Sequence, residues 1–436
     1  MKNVQVFEGA RLEPKPPDFL GNHARCRFIG RDTSGLPSAV PLSDELLSSH
    51  LLFLGGIGTG KTNAILQLLA QLRRSMTERD VMVVFDTKGD FYQEFYRPGD
   101  TVISNDGKAT GPASVDYWNI FHEIGTGEQV EANLVEIAKT LFYERTARTS
   151  QPFFPNAARD LFGAILHHFV RSSEAAAMDN ARLRSFLDQA APGDLRALLQ
   201  SHADMKAMVS YIADDRSPQT QGVLSELQQM VREILIGNFR KAGTISVRDA
   251  IRRKGGRCIF VEYDLGIGNL LTPIYRLLLD LAIKEALCRA KSEGNVWFII
   301  DEFRLLPNLQ HADNGVNFGR SLGAKFVIGA QNIDQIFHGY GESLARSILS
   351  GFMTTVSFRV NDANTREFVK GLFGKNRKRE TYMASVQTRG ISESVREANV
   401  IEDWDTANLV TGQAILGLPG YMPFLFQFDR YQSATT

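Results

Sequence analysis

Cysteine is nearly absent from this 436-residue chain: only Cys26, Cys258 and Cys288 occur, far apart and without CxxC or Cys/His ligand spacing. They suggest neither a disulfide framework nor a zinc site, and a reducing cytoplasm is the expected setting. Net charge is absent too, since 49 Lys and Arg balance 49 Asp and Glu. With no global basic field, any contact with nucleic acid must come from a local surface. The opening MKNVQVFEGARLEPKPPDF lacks the apolar core of an export signal. The longest uncharged stretch, residues 406–428, could span a bilayer by length, but its Thr, Asn and Gln and the turn LPGYMP mark a buried hairpin. No transmembrane segment is expected. Repeats and low-complexity tracts are also missing.

What remains is a globular composition, 43% hydrophobic, long enough for two or three domains of roughly 100–200 residues. Short apolar runs rich in Val, Ile and Phe lie at 50–54, 81–85, 258–261, 296–300, 326–328 and 354–358. Most end in turns containing Gly, Asp or Gln, as buried parallel strands do. Helical spacing separates some of them, through Ile65, Leu68, Leu69 and Leu72 and again over 275–287. Strand, helix, strand alternation predicts an α/β fold with a mostly parallel central sheet. From about 125 to 240 the strand signal vanishes while helical spacing persists, which predicts an all-helical insertion. The expected organisation is an irregular or small β segment over 1–45, a P-loop domain over 46–124 and 241–436, and the insertion at 125–240.

The chemistry is concentrated at strand ends. GGIGTGKT, residues 55–62, follows the strand 50–54 and precedes an amphipathic helix, the context that a Walker A loop requires. Gly55, Gly56, Ile57, Gly58, Thr59, Gly60, Lys61, Thr62 and Asn63 form the expected nucleotide-binding segment. Its glycines let backbone N–H groups wrap phosphates, Lys61 reaches the β and γ oxygens of ATP, and the Thr62 hydroxyl can ligate Mg²⁺. In VWFIIDEF, residues 296–303, a buried strand ends in two carboxylates. Asp301 would hold Mg²⁺, and Glu302 is the natural general base for the attacking water, which points to hydrolysis. Gln331, in the GAQN that ends the strand 326–328, would lie beside Asp301 if the strands are neighbours, where its amide could sense the γ-phosphate. Arg320, on the helix before that strand, could supply charge across a subunit boundary. DTKGD at 86–90 contains two GTPase-like strings, but one pentapeptide cannot serve both purposes. LSG at 349–351 follows the DE pair and lacks the rest of a transporter-ATPase signature. Neither reading is retained.

Taken together, GGIGTGKT, DTKGDFY, WNIF at 118–121, SPQTQGVLSEL at 217–227, IIDEF, GRSLGAKFVIGAQN and FRVNDANT at 358–365 resemble the TraG/TraD-type coupling proteins of conjugation and type IV secretion. These lie within the FtsK/HerA group of RecA-like motor ATPases. The resemblance runs from about Leu42 to Tyr431. It implies a RecA-like P-loop domain and a homo-oligomeric ring, commonly hexameric, that hydrolyses ATP at subunit boundaries and moves single- or double-stranded DNA through a channel. It further implies a helical insertion facing substrate or relaxosome, and relaxase or secretion components as partners. The spacings of Arg320 and Gln331 from Asp301 resemble the family's arginine and glutamine positions. Family members usually begin with transmembrane helices, whereas here about 45 residues without one precede the P-loop domain. That favours a cytoplasmic protein, acting there or recruited to the inner membrane's cytoplasmic face.

The densest basic cluster, KGLFGKNRKRE at 370–380, offers Lys370, Lys375, Arg377, Lys378 and Arg379 as DNA contacts and reads as a loop after a helix. Two rivals stand beside the translocase. One is an ATPase receptor that recognises a protein substrate through the helical insertion. The other is a nucleotide-gated scaffold with little turnover.

Overall fold

The computed structural model describes residues 3–19, 23–105, 116–147, 149–172, 175–288, 293–383 and 391–433. Its strands, in chain order, are β1 (Asn3–Glu8), β2 (Cys26–Arg31), β3 (Pro37–Leu42), β4 (Leu51–Leu54), β5 (Val81–Asp86), β6 (Thr101–Ile103), β7 (Arg257–Glu262), β8 (Val296–Ile300), β9 (Ala324–Ala330), β10 (Thr354–Phe358), β11 (Lys375–Met383), β12 (Ile391–Asn399), β13 (Gln413–Gly417) and β14 (Phe424–Phe428). The chain divides into two compact units. The first comprises Met1–Asp80, Arg289–Asn308 and Ala312–Thr436, and the second Val81–Cys288 and Leu309–His311.

The first unit is built on four parallel strands in the order β10, β4, β9, β8. All four are buried along their whole length. That is why they read as continuous apolar runs rather than as alternation. Beyond β10 the sheet continues antiparallel through β13, β14, β2 and β3. The uncharged stretch 406–428 thus supplies the hairpin β13–β14. The segment 1–45, expected to be irregular or a small β element, gives two strands to this sheet and β1 to a separate one, β1–β11–β12. Its signal was weak for physical reasons. β2 alternates buried and exposed residues over only six positions, and β3 contains Pro37 and Pro41, which only an edge strand tolerates.

The helix Lys61–Ser75 buries Ala64, Ile65, Leu68, Leu69 and Leu72. Its glutamines behave like a strand edge. Gln67 accepts from the Ile29 N–H at 2.9 Å and donates to its carbonyl at 3.1 Å, and Gln71 does the same for Arg27 at 2.8 and 2.7 Å. Backbone groups of β2 that lack a ladder partner are therefore satisfied. At the amino edge of β8, Asp80 accepts from Arg25, Thr77 and Asn295. Arg25 and Lys325 also lie over the Trp297 ring, at 5.3 and 4.7 Å.

In the second unit, β5, β7 and β6 form a parallel sheet. Over 125–240 the described residues form only helices and turns, chiefly Val130–Leu141, Phe153–Arg171, Asn180–Gln189, Pro192–Gln200 and Pro218–Ile234. This helical stretch shares one compact unit with β5–β7. Wholly buried Glu123 accepts from Trp118 Nε1 at 2.9 Å, Val247 N at 2.6 Å and Ser246 Oγ at 3.0 Å, so the WNIF segment is tied to the helix Val247–Arg253. Among the described residues, no helix is long and apolar enough to cross a membrane.

Candidate nucleotide site

The loop 55–60 leaves the carboxyl end of β4 and turns into the helix at Lys61. Gly60 makes that turn at φ 117°, a left-handed conformation that favours glycine. Three neighbours hold the loop from behind. Gly55 N donates to Ala330 O at 3.2 Å, Gly56 N to Arg359 O at 2.9 Å, and Gly412 N to Thr59 O at 2.8 Å. The tip, Ile57, is exposed. A glycine loop opening onto a helix N-terminus is a site for anions, phosphates above all. Lys61 is buried, its ammonium donating to the carbonyls of Gly55 and, at 3.0 Å, Gly56.

Asp301 and Glu302 follow β8, next to β4's neighbour β9. The Thr62 hydroxyl donates to Asp301 Oδ2 at 2.7 Å, joining the two motifs. β9 also brings Gly329 against Asp301, so closely that a Cβ there would lie 2.2 Å from the Asp301 carbonyl oxygen. Glu302 is held at both oxygens: Oε2 accepts from Gln331 Nε2, and Oε1 from Arg304 Nε at 3.1 Å. Burial raises the Glu302 pKa above the ordinary carboxylate value, against the opposing pull of Arg304, Gln331 and Lys61. A carboxylate so tuned is suited to accept a proton.

Lys61, Thr62, Asp301, Glu302 and Gln331 are therefore brought together, and Gln331 reaches the DE pair because β8 and β9 are parallel neighbours. Arg320 is not among them. On the helix Ala312–Leu322 it faces Glu45 at 3.7 Å, near His50, at the amino edge of the strands. The Asn63 side chain is committed elsewhere, donating to Asp429 O at 2.9 Å and accepting from Tyr431 N at 2.7 Å. Arg304 and Gly329 were missed by sequence reasoning. The first lies two residues past Glu302 and was open to notice, whereas the second depends on strand register alone.

The basic cluster is not a loop. Lys370 lies in the last turn of the helix Ala363–Phe373, and residues 375–379 lie on β11, paired on both sides by β1 and β12. Its cations face carboxylates. Lys375 meets Glu397 at 2.6 Å, Arg377 meets Glu8 at 3.2 Å, Lys378 meets Glu402 at 3.4 Å, and Lys370 meets Glu367 at 2.5 Å and Asp403 at 3.4 Å. Arg379 lies over the Phe7 ring at 4.9 Å. At Lys375 and Arg377 the positive charge is the cross-strand complement of Glu397 and Glu8, whereas the carboxylates facing Lys370 and Lys378 lie outside the strands.

Residues 36–432 match the family model described as the type IV secretion-system coupling protein DNA-binding domain. The coupling protein TraD of Escherichia coli strain K12 is 24% identical over 422 residues, covering 95% of this chain and 55% of TraD. The type IV secretion system-coupling protein VirD4 of Bartonella quintana strain Toulouse is 25% identical over 234 residues, or 50% of this chain and 36% of VirD4. This chain thus spans about half the length of TraD. In fold it is similar to the plasmid coupling protein TrwB in complex with the non-hydrolysable ATP analogue ADPNP, with a TM-score of 0.74 and 20% identity over 99% of this chain and 95% of that one.

Proposed function

This chain belongs to the family of type IV secretion-system coupling protein DNA-binding domains, and from that premise we propose that it is a ring-forming, ATP-hydrolysing DNA translocase that moves or delivers DNA, bare or as nucleoprotein, to a transfer machinery. The observation that carries the ATPase reading is the junction of the two motifs, with the Thr62 hydroxyl 2.7 Å from Asp301 Oδ2 and Lys61 beside them on the phosphate loop. ATP binds along 55–63, its phosphates against the loop's backbone N–H groups and Lys61. The Asn63 side chain contributes to the fold rather than to the ligand. Thr62 and Asp301 would hold Mg²⁺, their oxygens being the donor type that a hard cation takes. A magnesium ion bound there would supply positive charge against the phosphates, while Glu302 takes the proton of the attacking water and Gln331 senses the γ-phosphate. Arg320 acts in trans. Its place at the amino edge of its own strands supports a role at a neighbour's site, in a ring that we take to be hexameric.

DNA, single- or double-stranded, is the proposed cargo, with Lys370, Lys375, Arg377, Lys378 and Arg379 meeting its phosphates, which for the first four displace the present carboxylate partners. The helical stretch 125–240 is proposed to face substrate, a relaxase or secretion components, on the cytoplasmic side of the inner membrane. The test is steady-state ATP hydrolysis with and without single- and double-stranded DNA at two salt concentrations. Glu302→Gln is expected to bind ATP but lose about 10²–10⁴-fold in turnover. Salt-sensitive stimulation by DNA supports the translocase. Turnover unmoved by DNA but raised by a protein partner would replace it with a receptor that reads its substrate through the helices.

A further inference from the structure

The sheet β1–β11–β12 carries a face that the nucleotide site does not use. Along β11 the side chains alternate, as a strand requires. Asn376 is buried and donates to Ala10 O at 2.8 Å, whereas the side chains of Lys375 and Arg377, on either side of it, are each 64% exposed. Arg379 continues this outer row. It pairs with Gln5 of β1 and with Val395 of β12, so the three share one face, and Val395 is exposed. An irregularity in β1 adds an aromatic ring. Val6 pairs with Lys378 and Glu8 with Arg377, which leaves Phe7 as the extra residue of a bulge. A bulge re-aims a side chain, and the guanidinium carbon of Arg379 lies over the Phe7 ring, 4.9 Å from its centroid. With that cover in place Phe7 is still 58% exposed.

One exposed apolar side chain would need no explanation. Phe7, Arg379 and Val395 instead form a row across three strands spaced about 4.8 Å apart, bordered by Arg377 and Lys375. A flat ring beside a line of cations has the chemistry that holds unpaired bases, since the ring stacks on a base face and the cations meet phosphates. In a duplex those base faces are already covered by their neighbours, so the ring has nothing to stack on. Glu8 and Glu397 pair with Arg377 and Lys375, but all four side chains are at least 61% exposed. Pairs so exposed are weak, and phosphate can take the place of either carboxylate. We propose that Phe7 and Arg379 form a stacking platform for single-stranded DNA, with Lys375 and Arg377 on the adjoining phosphates. This rests on the reading of the chain as a DNA translocase and specifies the strandedness of what this face holds. A cation–π pair serving stability alone would give no preference between forms of DNA.

The experiment measures, by fluorescence anisotropy over a range of salt, the binding of a labelled oligonucleotide that is single-stranded, duplex, or single-stranded and abasic along its length. The proteins are the native full chain, Phe7→Ala and Phe7→Trp. Phe7→Ala is expected to bind the single strand roughly 5–150-fold more weakly, the loss of one stacked base. Its log–log salt slope should not change, because no phosphate contact is removed. Its duplex affinity should stay native, Phe7→Trp should keep the single-strand affinity, and the native chain should bind the abasic strand more weakly than the normal one. A Phe7→Ala affinity for the single strand within twofold of native, or equal losses on single strand and duplex, overturns the proposal and leaves DNA binding itself standing. A native chain that binds abasic and normal strands alike overturns it equally, and that result requires no variant to fold. Native single-strand affinity in Phe7→Ala together with altered sedimentation would reassign the face to contact between copies of this chain. A native chain that binds neither DNA would instead overturn the translocase reading.

Discussion

Gly329→Ala adds one methyl group at the crowded meeting of β9 and the end of β8. The new Cβ would lie 2.2 Å from the Asp301 carbonyl oxygen and 2.9 Å from both its carbonyl carbon and Oδ1. A carbon approaches a carbonyl oxygen comfortably at about 3.3 Å. Asp301 must therefore yield by about 1 Å, and what yields is backbone, which cannot rotate away as a side-chain tip would. A displacement of about 1 Å in a reacting constellation can cost roughly 10²-fold. The expected result is a kcat reduced about 100-fold, with ATP binding weakened as well, because Asp301 accepts from Thr62 and the adjoining Ala330 carbonyl accepts from Gly55. Overpacking should also cost about 1–3 kcal/mol of stability. Phosphate release at saturating ATP and equilibrium binding of a fluorescent nucleotide measure the two separately. The control is Gly371→Ala, within the helix Ala363–Phe373, where a Cβ meets nothing within 4 Å. That variant should keep full activity and gain about 0.5–1 kcal/mol. A Gly329→Ala enzyme within threefold of native kcat would refute the reasoning, since it would mean that Asp301 need not stand where β9 confines it.

Two further outcomes are expected. Asp80 is buried and accepts five hydrogen bonds, from Arg25, Thr77 and Asn295. Burial pushes its pKa up, but these donors outweigh it and hold the value below 3.8. Asp80→Ala leaves the donors of Thr77 and Asn295 without their acceptor, while Arg25 keeps Asp44 at 3.1 Å, and should cost about 1–3 kcal/mol, measured by urea unfolding. Because the folded pKa is depressed, this contribution is fully present above the unfolded value and lost as pH falls through the folded one. The gap between native and variant should thus persist from pH 8 to 5 and narrow only below about 4, and a gap under 1 kcal/mol at pH 7 would count against the network. For the basic cluster, Lys375→Gln with Arg377→Gln should lower the log–log salt slope of DNA binding by about two if both contact phosphate. An unchanged slope would place the contact elsewhere.

The parts of the site that were legible in the sequence share one property: each motif is contiguous and its environment is set by a buried strand immediately before it. GGIGTGKT after β4 and DEF after β8 needed only the recognition that a wholly apolar run of four or five residues is a strand covered on both faces. Gln331 was reachable because parallel neighbours end at the same edge. Gly329 and the partners of the basic cluster were not reachable, since they are set by register between strands remote in sequence. Which residue faces Asp301, or which carboxylate faces Arg377, changes completely with a shift of one position. The strands at the start of the chain were obscured for another reason. β2 completes its backbone hydrogen bonds partly through Gln67 and Gln71, helix side chains that no strand-pairing rule anticipates. Arg304 belongs to neither class. It stands in plain view beside Glu302, yet a charge two residues from a carboxylate takes on meaning only once the turn Phe303–Leu305, braced by Tyr340, is known to fold it back.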